Sequence, residues 1–277
     1  MTTESGISVN VCYRHPNRQS FVRCQRCGRT ICADCQTQAP VGVHCPECVK
    51  EARAGMPRQS SALLRGLRAE SSTPVVTWTI IAICVVVWIL QEISGGGVTD
   101  ALVYVPVLTY NEPWRMITAV FAHSPGTIFH LALNMYSLYV LGPPLERLLG
   151  RARFSALYLL SGFGGSVAVL LIAPDLGVLG ASGAIFGLAG AFFVLARKLG
   201  GNTTTLVVLI GINLVVGFVP GSGIAWEAHI GGLVVGAGLG VVFLSTRRID
   251  QQARQVLLIV AIFAALVVLT LARLYAF

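Results

Sequence analysis

The stretch GVLGASGAIFG, residues 177–187, sets a single serine, Ser182, among glycines and alanines where an apolar run begins. A serine in that setting either lets helices approach closely or acts as a nucleophile. The surrounding chain decides. Its 277 residues are 55% hydrophobic and only 12% charged, and the mean hydropathy is +0.73. A soluble domain so apolar would lack the polar surface to stay in solution, so the chain reads as an all-α polytopic membrane protein. The formal net charge of +8 would suggest nucleic acid in a soluble protein. Here the placement of the charges carries the information, and nucleic acid is not the expected partner. The N-terminal part is polar and has no apolar core near its start, so no secretory signal peptide is expected.

Seven apolar runs follow, at 75–93, 127–142, 154–173, 182–196, 203–219, 226–246 and 255–276. Each is close to the ~20 residues that cross ~30 Å of hydrocarbon. Lys and Arg fix the sidedness. They crowd before the first run (Arg14 to Arg68) and recur in alternate loops at Arg147, Arg151 and Arg153, at Arg197 and Lys198, and at Arg247, Arg248 and Arg254. Only Arg115 and Arg273 of the 20 fall on the other side. The positive-inside rule then puts the N-terminal head in the cytosol and the C-terminus outside, in a multi-pass cell-membrane protein.

With that topology the second, fourth and sixth runs all descend from the outer leaflet, where the polar residues gather. Ser182 lies fifteen steps from Arg197, about 22 Å of helix, roughly 8 Å less than the hydrocarbon thickness. The loop APDLGVLG (173–180) must therefore dip into the membrane, which irregular backbone does only inside protein or beside water. His229 stands about 27 Å of helix from Arg247 and reaches a similar depth. His130 and Asn134, four residues apart, share a helical face. Ionisable groups in a span carry function by default, since lipid burial is costly.

A neutral histidine can activate a serine hydroxyl at neutral pH. His130, Asn134 and the backbone N–H of Ser182 could then donate to an oxyanion, because the first amides of a helix lack internal partners. Glu227 sits two residues from His229, on the opposite side of the helix. A Ser182–His229 dyad is therefore expected, without a carboxylate. Gly183 and Gly187 on one helix, and Gly232, Gly236 and Gly240 on another, are small-residue faces that let two backbones touch. The same groups also fit a solute or proton path, and Asn213 reads as a residue bonded to its own helix. A transporter and a non-catalytic membrane adaptor are the rival readings.

At this point EPWR (112–115), HLALN (130–134), GPPLE (142–146), GASGAIFG (180–187) and AHIGG (228–232) together resemble the rhomboid family of intramembrane serine proteases. The resemblance covers roughly residues 75–246. It implies a six-helix core with a seventh C-terminal helix, Ser182 as nucleophile and His229 as general base. It also implies His130, Asn134, Gly180 and the Ser182 amide at the oxyanion site. Trp114 and Arg115 look like a structural pair of the first outer loop, and Gly142 and Glu146 like a helix-end motif. Phe186 stands where many relatives carry tyrosine, and the spacing of His123 from His130 leaves the role of His123 open. Such proteases cut membrane proteins within or beside a transmembrane helix and need no cofactor for the chemistry.

The head, residues 1–50, pairs Cys12 with His15, Cys24 with Cys27, Cys32 with Cys35 and Cys45 with Cys48, always with two residues between them. That spacing presents two ligands to one tetrahedral ion, and eight ligands suit about two zinc ions. A reducing cytosol disfavours disulfides. So few residues cannot bury a stable core unaided, so the metal is expected to be structural. The head resembles a B-box-type zinc finger. Alternation in that style would join Cys12, His15, Cys32 and Cys35 in one site and Cys24, Cys27, Cys45 and Cys48 in the other, with His44 a spare for Cys45. Five arginines from Arg14 to Arg29 read as a solvated basic face, and a cytosolic protein partner as the head's target. Residues 51–73 form a linker, with SALLRGLRA (61–69) a candidate interfacial helix, and 74–277 the membrane domain.

Overall fold

A computed structural model describes residues 10–39, 41–55, 73–219 and 223–276. The chain divides into two compact units, Met1–Gln59 and Ser60–Phe277.

The first unit has two small antiparallel hairpins, β1 (Val11–Cys12) with β2 (His15–Gln19) and β3 (Thr37–Gln38) with β4 (Val43–His44), followed by α1 (Pro46–Gly55). Ile31 and six cysteines form its core, each 5% exposed or less. A core built mainly of thiols buries too little hydrocarbon to hold a fold by itself. Gly28 adopts a positive φ of 75° just after Cys27, and its amide donates to the Cys24 carbonyl at 2.8 Å. A side chain there would be strained. The first five residues of the segment read as a linker complete α1, and SALLRGLRA lies outside the described residues.

The second unit begins with α2 (Val75–Ile93), α3 (Gly97–Leu102) and α4 (Arg115–Thr118). There follow α5 (Ile128–Leu149), α6 (Arg151–Ile172), α7 (Ser182–Lys198), α8 (Thr204–Gly217), α9 (Trp226–Ser245) and α10 (Gln252–Tyr275). The long helices α2 and α5 to α10 coincide with the seven apolar runs. By length and composition alone, four among the described residues can cross a membrane: α2, α6, α9 and α10. The second apolar run reads as ending at about residue 142, and proline in a helix interior ordinarily interrupts the ladder. Instead α5 continues to Leu149. Leu145, Glu146 and Leu149 are buried beyond the prolines, and that tertiary anchoring overrides the local penalty.

Glu146 is the anchor. Only 1% exposed, it accepts from the Val76 amide at 2.9 Å, the Thr77 amide at 2.8 Å and the Thr77 hydroxyl at 2.7 Å. Those amides belong to the first turn of α2, which has no partners of its own and favours a negative charge. Gly142 makes room, because a Cβ there would stand 2.8 Å from Thr77 Oγ1. The motif GPPLE thus ties α5 to the start of α2.

At the centre, α9 lies directly against α7 and α6. A Cβ on Gly232 would overlap the Gly183 carbonyl, and one on Gly236 the Gly187 carbonyl. One on Gly187 would meet the Gly232 carbonyl at 2.9 Å, and one on Gly165 the Ala228 carbonyl at the same distance. Such contact between backbones maximises dispersion where lipid offers no hydrophobic drive. The seventh long helix, α10, is pinned to α6 by Arg153 donating to Gln255 Oε1 at 2.6 Å and by the Phe163–Phe263 ring pair.

Removing the Glu146 carboxylate strands two amides and a hydroxyl. Glu146→Ala should lower unfolding stability in detergent by about 3 kcal/mol or more, with Glu146→Gln losing less. A denaturation midpoint equal to wild type would refute this role.

Candidate active site

The loop ahead of Ser182 is fixed by backbone pairing. The Tyr104 and Val178 amides exchange bonds with each other's carbonyls at 2.9 and 2.8 Å, and the Gly180 amide donates to the Ala119 carbonyl at 2.9 Å. Gly180 has φ +129°, and a Cβ there would lie 2.9 Å from His130 Cε1, 3.0 Å from His130 Nε2 and 3.8 Å from Ser182 Oγ. Both its backbone angle and its surroundings require glycine. Ser182 opens α7, where the Ile185 amide closes the first turn on the Ala181 carbonyl at 2.9 Å. The amides before it, that of Ser182 included, have no intrahelical acceptor.

His130 lies across this gap. Its Nδ1 receives the Ser124 amide at 3.1 Å, with the Ser124 hydroxyl at the same distance. A backbone N–H can only donate, so Nδ1 is bare and the neutral ring carries its proton on Nε2, the nitrogen near Gly180 and Ser182. Asn134, 7% exposed, gives one amide hydrogen to the His130 carbonyl at 2.8 Å and keeps a second.

His229, 6% exposed, stacks flat on Phe186, with ring centroids 4.1 Å apart and planes 8° from parallel. Phe186 is one turn beyond Ser182 on α7, so the stack holds the imidazole over the face that carries the serine. Beside it, a Cβ on Gly183 would be 3.2 Å from the Ala228 carbonyl, so the neighbours of Ser182 and His229 touch. His229 Nδ1 is sealed without a partner, which leaves Nε2 as the nitrogen open to the cavity. Ser182, His229, His130, Asn134 and Gly180 all line one cavity of about 900 Å³. Asn213 lines it too, with its amide donating to the Leu209 carbonyl at 2.9 Å as expected. Glu227, on the opposite side of α9 from His229 by helical spacing, lines it as well.

Several supports escaped the sequence reading. Gln91 clamps the His123 backbone, accepting its amide and donating to its carbonyl, both at 2.9 Å. Trp88 Nε1 donates to the Ser124 carbonyl at 3.3 Å, and Glu92 accepts the Gly126 amide at 2.8 Å. The end of α2 thus fixes the loop whose Ser124 orients His130. The signal was a polar pair, Gln91–Glu92, closing an apolar run. His123 is wholly buried with its ring 5.3 Å from that of His130. Arg115 bonds Glu112, the Asp100 carbonyl and, at 3.0 Å, the Val103 carbonyl. It braces the segment whose Tyr104 pairs with Val178. Trp114 is half-exposed.

In the first unit the ligand atoms of Cys12, His15, Cys32 and Cys35 lie within 4.8 Å of one another, and so do those of Cys24, Cys27, Cys45 and Cys48. His15 Nδ1 is 3.4 Å from Cys32 and Cys35 Sγ and 3.7 Å from Cys12 Sγ, while Cys27 and Cys45 Sγ are 3.7 Å apart. Ligands at ~2.0–2.3 Å from a tetrahedral ion have edges of about that length. All eight cysteines are free. Burial pushes the Cys12 and Cys24 thiols up, but backbone amides outweigh it and hold both at about 6. Burial and neighbouring thiols push Cys35 to about 11 and Cys48 to about 12. A divalent ion resolves that conflict by accepting every thiolate. Each cluster therefore fits one metal ion. The five arginines from Arg14 to Arg29 are exposed, as a solvated face requires, while Arg29 donates to Cys27 Sγ at 3.4 Å and Arg26 to the Cys48 carbonyl at 3.0 Å. Arg14 pairs with Glu47, and Arg18 with Asp34.

A helical membrane unit whose Ser, His and Asn side chains line one cavity defines a class, and comparison with known proteins assigns its family. A Rhomboid domain model matches residues 110–246. The chain is 37% identical over 178 residues to "Rhomboid protease GluP" of Bacillus subtilis, covering 60% of this chain and 34% of that one. It is 38% identical over 155 residues to "RHOMBOID-like protein 6, mitochondrial" of Arabidopsis thaliana, covering 52% and 48%. Against YdcA of Bacillus subtilis it is 36% identical over 175 residues, 59% of this chain and 85% of YdcA. The chain belongs to the rhomboid family, whose members are generally intramembrane serine proteases. It spans between a third and a half of the length of GluP and RHOMBOID-like protein 6.

If Gln91 holds the loop, Gln91→Ala leaves the His123 amide and carbonyl unpaired. Unfolding stability should fall by about 2 kcal/mol or more, and protease nicking should concentrate at residues 122–127. Unchanged stability with no new nicking would contradict the clamp.

Proposed function

We propose that this chain is an intramembrane serine endopeptidase in which Ser182 is the nucleophile and His229 its general base. The stacking of His229 on Phe186, one turn from Ser182, carries this reading. His229 Nε2 takes the hydroxyl proton as Ser182 Oγ attacks a peptide carbonyl. The oxyanion that forms is met by the His130 Nε2 proton, the second amide hydrogen of Asn134 and the Ser182 amide, with Gly180 leaving room for them. His229 then gives its proton to the departing amine, which leaves an acyl ester on Ser182. Water entering the cavity from the outer side, activated by the same imidazole, hydrolyses it. No carboxylate orients His229; the Phe186 stack does so. Substrates are membrane-anchored proteins, cut within or beside a transmembrane helix.

In this reading residues 1–50 lie in the cytosol and the cavity opens toward the outer leaflet, which the Lys and Arg of alternate loops support. In that unit the eight Cys and His ligands hold two structural zinc ions. Thiolate-rich donor sets suit zinc, and the thiol core needs the metal to fold. A cytosolic protein is the partner this module would recruit.

A fluorophosphonate probe should label the wild type and fail on Ser182→Ala and His229→Ala. Cleavage of a single-span substrate should fall by roughly 10⁴-fold or more in both variants. Full activity in Ser182→Ala would favour a transporter or an adaptor. Elemental analysis of the purified full chain should find about two zinc ions, and about one after Cys12→Ser or Cys24→Ser. Zinc absent from the wild type would refute the assignment.

A further inference from the structure

Two residues before His229, in the first turn of α9, Glu227 is 7% exposed and its Oε2 is sealed without a hydrogen-bond partner. A carboxylate at a helix N-terminus ordinarily gains from the dipole and from free first-turn amides. This oxygen takes no such bond. A buried acceptor left unpaired costs about 1–3 kcal/mol, and more when charged, so its position is unfavourable unless something else supplies a donor.

The cavity wall supplies no cation to meet it. Among the described residues lining it there is no Lys or Arg, and Glu227 is the only carboxylate. Trp226, its neighbour in the chain, forms an aromatic pair with Phe218, with centroids 4.6 Å apart, and both also line the cavity. An acceptor next to an aromatic ledge matches a side chain with a long apolar stem and a cationic head. Ser182 opens into the same space.

We propose that Glu227, with Phe218 and Trp226, is a substrate subsite that accepts a lysine or arginine of the cleaved protein close to the bond attacked by Ser182. The stem lies along the two rings and the cationic head bonds to Glu227 Oε1, the carboxylate oxygen that is not sealed. This rests on the protease reading above, and it narrows the substrate class to membrane proteins with a basic residue beside the cut.

The full-length protein in liposomes, given a single-span substrate series, tests it. Lys, Arg, Gln or Glu is placed in turn at each of four positions on either side of the cut. At one position kcat/KM should rank Lys and Arg about tenfold above Gln, with Glu lowest. In Glu227→Gln the Lys-to-Gln ratio should fall to near one, and in Glu227→Lys the Glu-bearing substrate should become the preferred one. Fluorophosphonate labelling of Ser182 in each variant reports that it is folded. If a variant fails that check, the wild-type ranking still decides. A wild type that cuts the series without regard to charge overturns the subsite alone, as does a Lys preference that survives in Glu227→Gln. A wild type that cuts nothing and takes no label on Ser182 overturns the protease reading and the subsite together.

Discussion

Everything in the membrane unit depends on the contact between the backbones of α7 and α9. Gly183 and Gly187 face Gly232 and Gly236 so closely that added methyl groups would overlap the opposite carbonyls. Lipid tails compete on equal terms with apolar side chains, so only packing this intimate fixes two helices in register. Register is what a serine on one helix and a histidine on the other require. The Phe186 ring, stacked on His229, converts that register into a side-chain orientation.

Around this pair the loops form a series of braces. Arg115 holds the carbonyls near Asp100 and Val103, the adjacent Tyr104 pairs with Val178, and two residues later Gly180 turns beside His130. From the other direction, Gln91 grips His123 and Ser124 sets the tautomer of His130. Nearly all these bonds end on backbone groups. At membrane depth irregular backbone has no water to satisfy it, so polar side chains spent on carbonyls and amides keep the cavity open without unfolding its walls.

Much of this was legible in the sequence because its causes are local and periodic. Apolar run lengths set the helices, and the glycine spacing marked the touching faces. Paired Cys and His gave the two candidate ligand clusters, which the structure groups in the alternating pattern and with Cys45 rather than His44. The passage of α5 through Pro143 and Pro144 was not legible, because it depends on Glu146 meeting a helix seventy residues earlier in the chain. Glu227 stands apart from His229 by helical spacing, yet the cavity takes in both residues. Helical spacing tells which residues share a face, but a cavity wraps more than one face of α9. The bonds from Arg29 to Cys27 and from Arg26 to the Cys48 carbonyl were not legible, because those acceptors come into reach only on folding.

Covalent catalysis by Ser182 is the central claim, and capture of its intermediate tests it most directly. Acid quench during turnover of a membrane substrate, followed by peptide mass spectrometry, should find the substrate's N-terminal fragment esterified to the peptide containing Ser182. Turnover with no such adduct, or with the fragment attached to another residue, would contradict the account.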